Sequence, residues 1–436
     1  MLGLGRPKQA SAKIATPRAA QAGRHSVRML LSGPAGGLRG AQFIGELAGR
    51  ERLLTFDMGG TSTDVALIDG EVQLTGEGEI AGYPVGVPMV DMHTIGAGGG
   101  SIATVDAGGM LQVGPESAGA DPGPACYGRG GSRVTVTDAN LVLGRLQPDA
   151  FLGGNMSLDL AAATVVVDEL AAGLKLTREE AAAGVIHLAN EHMARALRVI
   201  SVERGVDPRE LTLTSFGGAG GLHVCALAEA LGMDEALVPR HGGVLSALGM
   251  LAAPRGRQLS QTVTGLLHAI DVAMLDQHFD VLLSQGRSEL LAEGVDESLI
   301  EAQRSVDLRY QGQSYTLNVP WCGMHESKAS FHALHAQRYG HSLGMEVELV
   351  NVRVGVRGGA SRVELQPLGE GDVEPFAHRP LYGVAEPVAC YQRDALAAGS
   401  ELSGPALITE TVSTTWLAPG WHCRVDGYGN LLLRFV

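Results

Sequence analysis

Leu53-Leu54-Thr55-Phe56-Asp57-Met58-Gly59-Gly60-Thr61-Ser62-Thr63-Asp64-Val65-Ala66-Leu67-Ile68 is the stretch from which the rest of the chain is read. The apolar lead-in to Phe56 predicts a strand, Val65 to Ile68 a return strand, and Asp69-Gly70 a further turn. Between the strands lie an acid, two glycines, three hydroxyls and a second acid. Glycine carries no Cβ, so its backbone N–H groups can face an anion at close range, and the octet 57–64 has the make-up of a phosphate-binding turn. Thr61 and Thr63 offer hydroxyl donors. Asp57 or Asp64 suits a hydrated Mg²⁺, which proteins hold through one or two carboxylates. No Gly-Lys-Ser/Thr opens a helix after the turn, so it is not a Walker A loop, nor is it a dinucleotide fingerprint.

Asp-x-Gly-Gly alone would read as an ordinary hairpin turn. A second cluster changes that reading. Leu211 to Phe216 alternates as a strand, and Gly217-Gly218-Ala219-Gly220-Gly221 follows it directly and opens a helix through Leu222 to Leu231. Strand, glycine loop and helix together with the octet predict a nucleotide-binding α/β fold.

Short strands and glycine turns continue to about Arg133. Thr177 and Glu180 then have the spacing of a capping box, and Val185, Leu188, His192, Met193, Ala196 and Ile200 recur at helical intervals up to the stop at Asp207-Pro208. Beyond Pro254 the sequence reads as a linker leading into a helix-rich segment. Strands follow around 306–317 and 347–356, and short strands at 406–408, 414–417 and 431–436 make a β-rich C-terminal unit. The expected division is a leader over 1–25, a nucleotide-binding core over 26–255 and a C-terminal α+β domain over 256–436.

With 436 residues, 45% of them hydrophobic, the chain can bury a substantial core. A formal charge of −14 argues against a nucleic-acid surface, which would need clustered Lys and Arg. No apolar run has bilayer-spanning length and no secretory core stands at the start, so a cytoplasmic location without membrane contact is expected. The five cysteines lack CxxC spacing and read as free thiols.

Phe56 to Ala66 resembles the second phosphate loop of the actin, Hsp70 and sugar-kinase superfamily, in the form found in the hydantoinase A / 5-oxoprolinase family. Phe216-Gly-Gly-Ala-Gly-Gly-Leu-His223 is similar to that family's adenosine-side loop. Asp91-Met-His93-Thr-Ile-Gly-Ala-Gly-Gly-Gly-Ser101, Gly119 to Tyr127, Thr137 to Leu141, Leu31 to Gly37, Arg309 to Tyr315 and His335 to His341 also resemble family segments. The resemblance runs from about Ser26 to the end of the sequence.

The resemblance implies an actin/Hsp70/sugar-kinase-like (ribonuclease H-like) α/β fold. It further implies the ATP-binding A component of a cyclic-amide hydrolase that activates a ring amide or carbonyl, using ATP and Mg²⁺. Asp57 and Asp64 would be catalytic. Gly59, Gly60, Thr61, Thr63, Gly217, Gly218 and Gly220 would bind the nucleotide. Asp57 is a metal candidate, and Asp91 and His93, on alternate strand positions, are candidates for metal or substrate ligands, with a second divalent ion left open. A hydantoinase B-type subunit, an oligomeric assembly and a small cyclic amide or ketone substrate are the partners implied. Family members begin with a first lobe bearing an earlier Asp-x-Gly-Gly-Thr loop, and the similarity here starts after it. The fold is therefore expected to be incomplete, with a separate first-lobe polypeptide as a further partner. The alternatives are a non-catalytic fragment or assembly subunit, or a ketone carboxylase subunit.

Overall fold

Leu53 to Phe56 is buried on both faces, which is why the apolar run forms a central strand. In the computed structural model, which describes residues 32–75, 78–80, 83–85, 89–359, 363–371 and 373–436, this strand is β1 (Arg52–Met58). The leader expected over 1–25 lies outside the described residues. The chain forms two compact units. The larger holds 33–73, 90–249 and 363–436; the smaller is built mainly on 250–362.

In the larger unit α1 (Ser32–Leu47) precedes β1, and β2 (Thr63–Asp69) returns antiparallel with Asp57 opposite Asp64. β3 (Glu71–Val72) and β4 (His93–Ile95) both pair with β2. β5 (Ser101–Val105) and β6 (Leu111–Ser117) form a separate ribbon. Three helices follow: α2 (Val136–Val142), α3 (Leu160–Leu174) and α4 (Arg178–Ile200). The capping box predicted for α4 is present, with the Thr177 side chain accepting from the Glu180 amide and the Glu180 carboxylate accepting from the Thr177 amide. The helix buries Val185, Met193, Ala196 and Ile200.

β7 (Thr212–Phe216) runs parallel to β1, and β8 (Glu235–Val238) parallel to β7, with α5 (Val224–Leu231) between them and α6 (Leu245–Ala252) after them. The sheet then continues with strands far along the sequence: β9 (Glu401–Ser403), β10 (Trp421–Val425) and β11 (Leu431–Phe435). The order is β9-β10-β11-β8-β7-β1-β2-β3, with β4 also on β2. Trp421 is fully buried in this core and its indole N–H donates to Glu229 at 2.7 Å.

This arrangement corrects the expected division of the chain. Residues 363–436 do not fold with 256–362 as one C-terminal domain, because β11 pairs with β8 from Glu235–Arg434 to Val238–Leu431 and belongs to the larger unit. The region is β-rich as expected, with a four-stranded sheet of Ala377–Arg379, Val388–Gln392, Ala406–Thr409 and Thr414–Leu417 beside the main one.

The smaller unit carries a four-stranded sheet in the order Gly256–Leu266, Val347–Arg357, Glu301–Tyr310, Leu317–Pro320. It also holds the helices Val272–Ala292 and Met324–Tyr339. The expected linker after Pro254 is the first of those strands. Gln258, Ser260, Thr262 and Thr264 fall at every second position, so a composition that mimics a loop still carries the period of a strand. Among the described residues no helix is long and apolar enough to cross a membrane.

Candidate functional site

β1, β7 and β8 are three adjacent parallel strands, and each leaves the sheet through glycines. β1 leads into the 59–62 turn, β7 into Gly217–Gly221, and β8 through Pro239 to Gly242-Gly243. Backbone hydrogen bonds tie these exits together: Ala219 N donates to Met58 O at 3.1 Å, and Gly217 N to Gly242 O at 3.1 Å. The carboxyl end of parallel strands is where open α/β sheets place their ligands. The predicted clusters at 57–64 and 217–221 therefore meet at one edge. The Gly242-Gly243 turn was missed, because a lone Gly pair after a short strand has no distinguishing signal.

Gly59 N donates to Ser62 O at 3.0 Å and closes the turn. Gly96–Ser101 lies against it, with Gly99 N and Gly100 N donating to the carbonyls of Gly59 (3.0 Å) and Gly60 (2.6 Å). A Cβ on Gly98 would come within 2.7 Å of the Thr61 carbonyl carbon, so that glycine is required by the protein's own packing. Gly59 and Gly60 are different. A Cβ on Gly59 would meet nothing nearer than 3.8 Å, and one on Gly60 nothing within 4 Å. The amides of Gly60, Thr61 and Ser62 also donate to no acceptor among the described residues. Two glycines that packing does not demand, beside three unused donors, make a surface suited to a ligand that must approach the backbone.

Asp57 and Asp64 are direct cross-strand neighbours, an arrangement that like charges disfavour. Burial, and after it the negative charge of Asp64, pushes the Asp57 carboxyl up to about 6. Burial also raises Asp64, partly countered by the Thr94 hydroxyl, which donates to its Oδ1 at 2.7 Å. Among the described residues no basic group offsets the Asp57 charge. Gly217, at φ +81°, lets the chain pass over this carboxylate, since a Cβ there would fall 2.4 Å from Asp57 Oδ1.

The remaining predicted residues divide. Thr61 and Gly218 are exposed at the site, but the Thr63 hydroxyl is fully buried and donates to Ala97 O at 2.5 Å. Thr63 thus positions the 96–100 segment, and its proton is not free for a ligand. Gly220 is buried beneath the loop, where a Cβ would meet Ser215 Oγ at 2.6 Å. The proposed metal set is not assembled. Asp91 is ion-paired with Arg204, His93 lines a separate cleft, and no group of three or more His, Cys, Asp or Glu able to hold a metal occurs among the described residues. Asp57 with Asp64 is the acidic pair that remains. His223, directly after the glycine loop, is fully buried beside Asn190 (Nδ1 to Oδ1 2.6 Å), and burial, aided by Arg145, pushes its pKa down to about 3. It is a neutral anchor between α4 and α5.

The sequence profile of the hydantoinase/oxoprolinase family matches residues 15–257. The chain is 36% identical over 422 residues to the caprolactamase subunit alpha of Pseudomonas jessenii, covering 92% of this chain and 61% of that one. It is 35% identical to the 5-oxoprolinase PfmaA of Pestalotiopsis fici, covering 91% of this chain and 33% of that one. The nucleotide-free structure of acetone carboxylase, solved in a study of ATP-dependent acetone carboxylation, superposes with a TM-score of 0.82 at 27% identity. That match covers 98% of this chain and 64% of the other. The chain thus spans about three-fifths of the caprolactamase subunit's length and a third of the oxoprolinase's.

Proposed function

The chain belongs to the hydantoinase/oxoprolinase family, and from that premise we propose that it is the ATP-binding A component of an enzyme that activates and hydrolyses a cyclic amide. The observation that carries this reading is the Asp57–Asp64 turn: three amides without acceptors, two glycines with open faces and an unneutralised acidic pair, all at the carboxyl end of parallel strands. The strand order β3-β2-β1-β7-β8, in which only β2 runs against the others, supports an actin and sugar-kinase type of fold.

In this reading the amides of Gly60, Thr61 and Ser62 hold a phosphate, and Gly218 lies on the nucleoside side. Asp57 and Asp64 would hold a hydrated Mg²⁺, whose charge relieves their mutual repulsion and lowers the raised carboxyl of Asp57. Bound ATP would supply the phosphoryl group that turns a carbonyl oxygen into a leaving group, the activation that an unreactive amide needs. The residues of this chain bind and orient; a hydantoinase B-type subunit and a first nucleotide-binding lobe complete the proposed assembly. The likeness to acetone carboxylase supports a second reading, in which the same activation serves ketone carboxylation.

Calorimetry with Mg-ATP tests this on the chain, alone and with those subunits added. Gly60→Val places its side chain in open space, so the fold is expected to keep its stability while Mg-ATP affinity falls at least tenfold. Wild-type affinity in that variant would remove the turn from the site.

A further inference from the structure

A second concavity in the larger unit, an open cleft of about 320 Å³, is lined by residues of β4, β6 and α4 together with Gly96 and Ala97. Its polar lining is His93, Gln112, His192 and Arg195; Ile95 and Val199 contribute to an apolar wall. No Asp or Glu lines it. In a chain of net charge −14 the charged lining residue is a cation, Arg195, while the lining Gln112 donates from Nε2 to the Asp106 carboxylate at 3.2 Å. The side chains of His93, His192 and Arg195 make no hydrogen bond or ion pair with the described residues. Their neighbours are occupied: Arg198 donates to Ala230 O at 2.8 Å and Arg204 pairs with Asp91. His192 and Arg195 stand three residues apart on α4, a spacing that puts them on one helix face.

From this we infer that the cleft binds the carboxylate of a small ligand with an aliphatic body. A guanidinium offers a planar fork of donors that matches a carboxylate, and the two imidazoles add donors around it. The apolar wall has no use for a bare inorganic anion, whereas it would cover an alkyl chain. The volume lies at the small end of pockets that hold low-molecular-weight ligands. None of its lining residues belongs to the 57–64 turn, although Gly96 and Ala97 belong to the segment that packs against that turn.

The test is titration of the 436-residue chain, by calorimetry, with hexanoate, inorganic phosphate and 1-hexanol. Saturable binding of hexanoate is expected, with phosphate and 1-hexanol at least tenfold weaker, and with a tenfold or greater loss in Arg195→Gln. His192→Gln is expected to show a smaller loss, and serves as the second variant if Arg195→Gln does not give the wild-type circular dichroism. Absence of saturable hexanoate binding, or hexanoate affinity unchanged in a folded Arg195→Gln, overturns the site. Phosphate binding as tightly as hexanoate overturns the aliphatic body, and 1-hexanol binding as tightly overturns the carboxylate. Mg-ATP binding measured on the same sample separates a failure here from a failure of the nucleotide site.

Discussion

Asp57 and Asp138 both lie in the larger unit and are both withdrawn from water, yet their surroundings are opposites. Asp138 is fully buried at the start of α2 and accepts from the amides of Cys126 (2.8 Å), Ala125 (3.2 Å) and Thr135 (3.0 Å), and from the Thr135 hydroxyl (2.7 Å). The Asp57 carboxylate accepts from no described donor and faces a second carboxylate. A buried acid that the fold has surrounded with donors holds loops together. One that the fold leaves without partners is tolerated because something else completes it. The contrast assigns Asp138 to the framework and supports the proposed place of Asp57 in the nucleotide site.

The sharpest way to break the contrast is Asp138→Ala, which leaves four donors without their acceptor in a dry environment. A loss of about 4 kcal/mol or more in urea unfolding is expected, at roughly 1–3 kcal/mol for each stranded group with partial relaxation. A loss below about 1 kcal/mol would put Asp138 outside the framework.

The second is Asp57→Asn, for which the sign reverses. The Asp57 carboxyl sits at about 6 in the folded chain against 3.8 for the unperturbed group. Between those values the folded state binds more protons than the unfolded one, so stability falls as pH rises from about 4 to about 6 and stays low above it. The Asn variant lacks this slope. Without nucleotide it is expected to be more stable than wild type at pH 7.5 by about 3 kcal/mol, with the difference vanishing near pH 4. Mg-ATP binding should be lost in the same variant. Urea midpoints at pH 4.5 and 7.5 decide the matter, and a destabilised Asn variant at pH 7.5 would show that Asp57 has partners in the fold after all.

The smallest effect sharpens the comparison within the acidic pair. Thr94→Val removes the only side-chain hydroxyl that lowers Asp64, so the Asp64 carboxyl should rise further and stability at neutral pH should fall by about 1 kcal/mol. An NMR titration of the carboxylates, compared with the wild type, reads the shift directly.

The parts of the molecule that were legible in the sequence are those decided by neighbours along the chain. The hairpin at 57–64, the glycine loop opening a helix after Phe216 and the Thr177–Glu180 cap each follow from a local pattern, and all three are present. What was hidden depends on distant pairing. Nothing around Leu431 announces that it will lie beside Val238, and nothing around His93 announces that Arg195 and His192 will share its cleft. The hydroxyls of the octet were equivalent as text. Only the fold separates exposed Thr61 from Thr63, whose proton is spent on Ala97.

The pairing of β8 with β11 also sets an order of events during synthesis. β7 and β8 are complete soon after residue 238, but the next strand in the sheet starts at Leu431. At roughly 5–20 residues per second, β8 waits on the order of ten seconds or more for its neighbour. Through that interval it presents an open, apolar edge. The nascent chain is then exposed to strand exchange with other copies on the same message, and chaperone dependence should concentrate in the stretch of translation that ends when β11 emerges.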